Sequence, residues 1–223
     1  MIDKLLEHIA PHPCSSCGKL GPLLCDNCKY DISNDMMSMC ILCGCPANES
    51  GLCSICRAPY SRAWHIGERT DTLKDLIDGL KFERQRAAGR VLGALLHERI
   101  SQLPPETTII PVPTISSHIR QRGYDHAYLI ARHLAELRHL RVQRAVSRTA
   151  NSVQRGHNKK ERITQANRAF ALTSTSSILP QVPYLIIDDV VTTGATLAAV
   201  ANVLRSAGAE TIWVAAVARQ PLD

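Results

Sequence analysis

Apolar residues recur every three or four positions over Thr72–Phe82, at Leu73, Leu76, Ile77 and Leu80. That spacing lays one hydrophobic stripe along a helix. Val91–Ile100 repeats it through Val91, Leu92, Leu95 and Leu96, and Asp125–Leu137 through Ala127, Ile130, Ala131 and Leu134. Asp125 stands where an N-cap belongs. Three segments have no helical period. Thr108–Pro113 is a short apolar run halted by prolines, which suits a buried strand. The runs that begin at Tyr184 and at Thr211 read as strands too, and Leu197, Val200, Ala201 and Leu204 put a helix between them. Gly208 is placed to end that helix. Alternating strands and helices predict an α/β fold, with a mostly parallel sheet and helices on both faces. Ligands of such sheets lie at the carboxyl ends of the strands.

Before Ser61 this patterning is absent. Leu20, Leu23, Leu24, Met36, Met37, Met39 and Leu42 are the main apolar residues there, and cysteines take over. Four Cys-x-x-Cys pairs stand at Cys14/Cys17, Cys25/Cys28, Cys40/Cys43 and Cys53/Cys56, separated by seven, eleven and nine residues. Each pair presents two thiolates to one metal, and two pairs complete a tetrahedral site. The spacing predicts two structural Zn2+ ions. An iron–sulfur cluster has the same donor set, whereas one redox-active pair would not explain four. Sequential pairing closes the shortest loops; a cross-braced arrangement satisfies the spacing as well. Cys45 is left over. The change of character near Pro59 divides the chain into a Cys-rich zinc-binding module, 1–60, and a second domain, 61–223.

Bulk properties narrow the reading little further. The chain has 223 residues, enough for one medium domain and a small module. Its apolar runs fall short of the roughly 20 residues that span a bilayer. The opening residues lack a signal-peptide core, so the expected location is cytoplasmic. Nine cysteines without a signal sequence argue against a disulfide framework. The formal charge of +6 hints at a polyanionic partner, but eight bound thiolates and two Zn2+ would reduce it to +2. An aromatic content of 4% is low for a protein that stacks single-stranded bases. Two basic segments, residues 118–126 and 154–168, read either as solvated surface or as loops that meet an anionic ligand.

The densest chemistry follows Tyr184. A short apolar strand ends in Asp188 and Asp189, then Val190 and Val191 lead to the turn Thr192-Thr193-Gly194-Ala195-Thr196 at the start of a helix. Helix-start amides and three hydroxyls make an anion site. Gly194 admits close approach and a positive φ. The adjacent carboxylates suit ribose hydroxyls and Mg2+ or its waters. The plain alternative is a strand, a loop and a Thr-rich helix cap.

This run resembles the phosphoribosyl pyrophosphate (PRPP) loop of type I phosphoribosyltransferases. The wider chain resembles the ComF family in the order of its motifs. These are the Cys-x-x-Cys start, Leu80-Lys81-Phe82, Pro111-Val112-Pro113, Arg122-Gly123-Tyr124, Arg162 to Asn167 and the Asp-Asp-Val-Val-Thr-Thr-Gly-Ala-Thr loop. It departs where the family commonly has R-G-F-N-Q and this chain has Arg122-Gly-Tyr-Asp-His126, and in the longer step from Thr149 to Gln154. The resemblance implies a type I phosphoribosyltransferase-like sheet. It places PRPP on Asp188, Asp189, Val190, Thr192, Thr193, Gly194, Ala195 and Thr196, with Mg2+ bridging ribose and diphosphate. Asp188, Asp189, Arg122 and Lys159 would be the catalytic groups, with Arg120 and Lys160 as further cations. It implies a role in DNA uptake and natural transformation, with single-stranded DNA and a DNA-uptake helicase as partners. Base or nucleotide salvage by an active transferase, and zinc-dependent assembly of a helicase, are the alternatives.

Overall fold

The computed structural model describes residues 11–34, 38–101, 103–149 and 169–221. The Cys-rich segment holds a short antiparallel pair, β1 (His12–Pro13) with β2 (Leu20–Gly21), and helix α1 (Asp26–Asn34). Strand β3 (Arg62–Glu68) follows. Then come α2 (Asp71–Phe82), α3 (Ala87–Arg99), β4 (Thr108–Pro111), α4 (Ser116–Arg122), α5 (His126–Arg138) and β5 (Arg141–Val142). A ribbon of β6 (Val146–Arg148) and β7 (Phe170–Leu172) precedes β8 (Tyr184–Val191), α6 (Ala195–Ser206) and β9 (Ile212–Arg219). Five strands form one sheet in the order β3-β9-β8-β4-β5, and every pairing in it is parallel. This is the expected α/β architecture.

The helical stripes face the sheet as their spacing requires. Leu73, Leu76, Ile77 and Leu80 of α2 are buried, as are Leu92, Leu95 and Leu96 of α3 and Ala127, Ile130, Ala131 and Leu134 of α5. Asp125 caps α5 by accepting from the Tyr128 amide at 3.2 Å. Gly208 leaves α6 at φ +105, and its amide reaches the Arg205 carbonyl at 3.0 Å. The strand from Tyr184 is longer than its apolar run. It continues through both aspartates to Val191, because the backbone of β9 pairs with it as far as Arg219.

Two cores lie on opposite faces of the sheet. Helices α2, α3 and α5 cover one, and α6 with the β6–β7 ribbon covers the other. The cysteine segment contributes to both. Cys14, Leu23, Leu24 and Cys28 belong to the first core, while Cys40, Ile41, Leu52, Cys53 and Tyr60 belong to the second. The segment therefore flanks edge strand β3, one half on each face. No described helix is long and apolar enough to cross a membrane.

Candidate functional site

Strand pleat decides where the two acids point. Successive side chains alternate between faces. Asp188 lies on the side of Tyr184 and Ile186, in the core under α6, and Asp189 on the side of Leu185 and Ile187, towards α2 and α5. Both are buried, at 9% and 5% exposure, so neither carboxylate is solvated and each must find protein partners or stay neutral.

Asp189 finds two. Its Oδ2 lies 2.9 Å from Lys81 Nζ and 2.5 Å from His126 Nε2. Burial alone would raise its pKa, but the contacts with His126 and Lys81 outweigh it and hold the carboxyl below the usual carboxylate range. Among the described residues Asp188 has no such pair. Burial, then the neighbouring charge of Asp189, pushes its carboxyl up to about 7. Its Oδ1 accepts from the Asp189 amide at 2.9 Å, and the Arg148 guanidinium feels its charge. A buried carboxyl whose ionisation is opposed in this way stays protonated unless a nearby cation favours its charged form.

Lys81 and His126 converge for reasons visible in the chain. Lys81 occupies the last turn of α2, and His126 opens α5. Tyr124 Oη donates to the Leu80 carbonyl at 2.6 Å, and the Arg122 guanidinium lies 5.3 Å from the centre of the Phe82 ring. Arg122 Nη1 is 3.1 Å from His126 Nδ1. Leu80-Lys81-Phe82 and Arg122–His126 thus dock on each other and meet at Asp189. Neither Lys81 nor His126 stood out as a site residue in the sequence. The two share no local pattern, since they lie on different helices 45 positions apart. Arg120 is exposed on α4. Lys159, Lys160 and Arg162 to Asn167 lie outside the described residues.

Beyond β8, Thr192 and Thr193 are exposed, and Gly194 is buried with φ +74 at the N-cap of α6. The Ala195 amide meets Thr193 Oγ1 at 3.4 Å. The first amides of a helix have no partner within it. Those of Ala195 and Thr196 stand one loop away from the acids, at the carboxyl end of β8, so an oxyanion and a polyhydroxyl group could be held side by side.

The cysteines gather into two groups, Cys14, Cys17, Cys25, Cys28 and Cys40, Cys43, Cys53, Cys56, with the sulfurs of each within 4.8 Å of one another. These are the sequential pairings. A tetrahedral zinc with sulfur at about 2.3 Å would set its ligands about 3.8 Å apart. Cys17 and Cys25 Sγ are 3.8 Å apart, and Cys43 and Cys53 Sγ are 3.6 Å apart. Against the effect of burial, the amides of Cys17, Cys25 and Ser16 bring the Cys14 thiol down to about 6. The amides of Cys56 and Ile55 do the same for Cys53, also to about 6. In each group another thiol moves the opposite way, Cys28 in the first and Cys56 in the second, so it is the convergence of four sulfurs that fits each group to hold a metal ion. Cys45 is exposed, and its contribution is a backbone carbonyl that accepts from the Cys40 amide at 2.7 Å.

A parallel sheet with an acid pair and a Thr-Thr-Gly turn at one strand's carboxyl end defines a phosphoribosyltransferase-type protein. Residues 119–222 match the family described as Phosphoribosyl transferase domain. The chain is 31% identical over 210 residues to Competence protein F of Haemophilus influenzae, covering 88% of this chain and 90% of that protein. It is 32% identical over 205 residues to the DNA utilization protein YhgH of Escherichia coli O6:H1, covering 86% and 88%. With the Salmonella typhi protein of the same name it shares 29% over 203 residues, covering 86% and 88%. The chain belongs to the ComF family, that of Competence protein F.

Proposed function

We propose that this protein binds PRPP with Mg2+ at the β8–α6 loop and serves the uptake or use of DNA. The acid pair followed by a helix-start turn carries the reading: one strand end offers two buried carboxyls for a cation and ribose hydroxyls, and helix-start amides for a phosphate. Thr192, Thr193, Gly194, Ala195 and Thr196 would take the 5-phosphate, with Val190 beside them. Asp188 and Asp189 would face the ribose hydroxyls and Mg2+. Bound Mg2+ would supply charge neutralisation for the diphosphate. Asp189 already holds Lys81 and His126, so ribose hydroxyls would share that carboxylate with them. Arg122, one contact behind His126, is the described cation best placed to follow the same network. Lys159 would act from outside the described residues.

The two cysteine groups would each hold a structural Zn2+, in a protein of the cytoplasm. The names of the relatives, competence and DNA utilization, supply the pathway. Single-stranded DNA and a helicase of that pathway are the corresponding partners, with the basic segment 118–126 on the described surface. Transfer to a small-molecule acceptor is the alternative at the same loop.

Calorimetry tests the site. PRPP should bind saturably only with Mg2+ present. Asp188→Asn with Asp189→Asn, and separately Thr193→Glu in the exposed part of the turn, should abolish it. Undiminished binding by both variants would remove PRPP from this loop.

A further inference from the structure

The second cysteine group stands directly behind the proposed phosphate loop. Leu42, one of the two residues between Cys40 and Cys43, places Cδ2 where a side chain on Gly194 would have to go. The same hypothetical carbon would lie 3.9 Å from Tyr60 Oη. Gly194 is therefore confined from the rear by a residue whose own position is set by two metal ligands. Two residues further on, Gly44 meets the Arg219 guanidinium in the same way, 2.6 Å from Cζ. Arg219 is the last residue of β9 and pairs in register with Val191, the last residue of β8. The Gln220 amide bonds the Val191 carbonyl at 2.7 Å. The Cys40–Gly44 turn thus meets the helix-start glycine through Leu42 and the end of β9 through Gly44.

This turn is anchored independently of the loop. Ile41 is fully buried, and its amide reaches the Gly51 carbonyl at 3.2 Å. The Ala63 amide on β3 bonds the Ser50 carbonyl at 2.7 Å. A left-handed glycine at a helix start is free to rotate its flanking peptides. Rotation there would turn the Ala195 amide away from a phosphate. Leu42 Cδ2 packs against Gly194 on the side where a Cβ would stand, and so restrains the glycine from that side.

We infer that Leu42 is a positioning residue for the phosphate loop, so that metal in the second cysteine group sets the affinity for the phosphate end of a phosphorylated sugar. The inference rests on the reading above for its ligand, but the mechanical coupling stands on geometry of its own. The test uses the full zinc-loaded chain with three probes: ribose 5-phosphate, PRPP with Mg2+, and inorganic diphosphate with Mg2+. Leu42→Ala should weaken the two sugar phosphates about tenfold, the loss expected from misaligning one hydrogen bond to a charged phosphate, and leave diphosphate unchanged. It should retain the wild-type zinc content and speed amide exchange over Thr193–Leu197. Leu42→Met should restore binding to within about twofold of wild type, and Leu20→Ala beside the first group should change neither readout. Cys43→Ser should reproduce the Leu42→Ala exchange pattern, whereas Cys17→Ser should not. Should Leu42→Ala fail to fold, Leu42→Val takes its place, with a smaller change in the same direction. Wild-type affinity together with unchanged exchange at 193–197 overturns the inference. If the wild-type chain binds no sugar phosphate, the proposed function fails, and exchange alone decides the coupling: faster exchange in the variant supports it, and unchanged exchange ends it.

Discussion

Asp189 is a buried acid already occupied. Its two cationic neighbours hold it ionised inside the protein, and removing one leaves a buried charge poorly compensated. Lys81→Met should destabilise the fold by about 3 kcal/mol, within the range for breaking a buried pair. Adding Asp189→Asn should recover part of that loss, since the uncompensated charge goes with it; urea unfolding of the four-member cycle measures the coupling. A second residue makes stability depend on acid. Burial first, then the charges of Arg99 and Arg219, bring His65 down to about 4 from 6.5. Between those values the unfolded chain takes up a proton that the folded chain refuses, so stability falls as pH falls from 6.5 to 4 and is flat below. One group shifted this far contributes up to about 3 kcal/mol. His65→Asn removes that contribution, so the wild-type-minus-variant stability difference should shrink by that amount between pH 7 and pH 4. A constant difference would contradict it.

Elements were legible where one face of one segment carried the information. The α2, α3 and α5 stripes stand where their apolar residues recur, and Asp125 caps α5 because its carboxylate can reach the Tyr128 amide locally. The acid pair and Thr-Thr-Gly turn were legible for the same reason, since strand, turn and helix start are contiguous. The partners of Asp189 were not. Lys81 stood only within the Leu80-Lys81-Phe82 motif, and it is the crossing of α2 and α5 over β8 that brings it to the acid. The contact behind Gly194 was equally hidden, since Leu42 stands 152 positions earlier. Glycines separate local from long-range demands. Gly123 ends α4 at φ +83 with nothing near a would-be side chain, whereas Gly194 has φ +74 and Leu42 in the way. Gly123→Ala should cost about 1 kcal/mol, the left-handed penalty alone. Gly194→Ala should cost roughly twice that, through the added overpacking. In a Leu42→Ala background the Gly194→Ala cost should fall to the Gly123 level. Equal costs at both glycines in the wild-type background would remove the contact from the account.

At the scale of the whole molecule, the composition break near residue 60 does not recur in the packing. Cys14 and Cys28 sit in the core under α2, α3 and α5, and Cys40 and Cys53 in the core under α6. Four thiols brought together without metal repel when ionised and waste burial when neutral, so each group would depend on a bound ion. Losing the ions would strip packing from both faces of one sheet, and edge strand β3 would lose its flanking material on both sides. Metal removal should therefore be felt globally. Chelation should release two zinc ions per chain and lower the melting temperature of the whole protein in one cooperative transition, followed in parallel by far-ultraviolet circular dichroism and by tryptophan fluorescence. Trp64 on β3 and Trp213 on β9 make that fluorescence a probe of the sheet itself, their rings 6.3 Å apart and edge to face. A chelated protein that melts its cysteine segment early, while the tryptophan transition stays where it was, would show that the segment folds apart from the sheet. Iron with visible absorption in place of zinc would overturn the metal assignment and leave the cooperative packing argument to be judged by the same two probes.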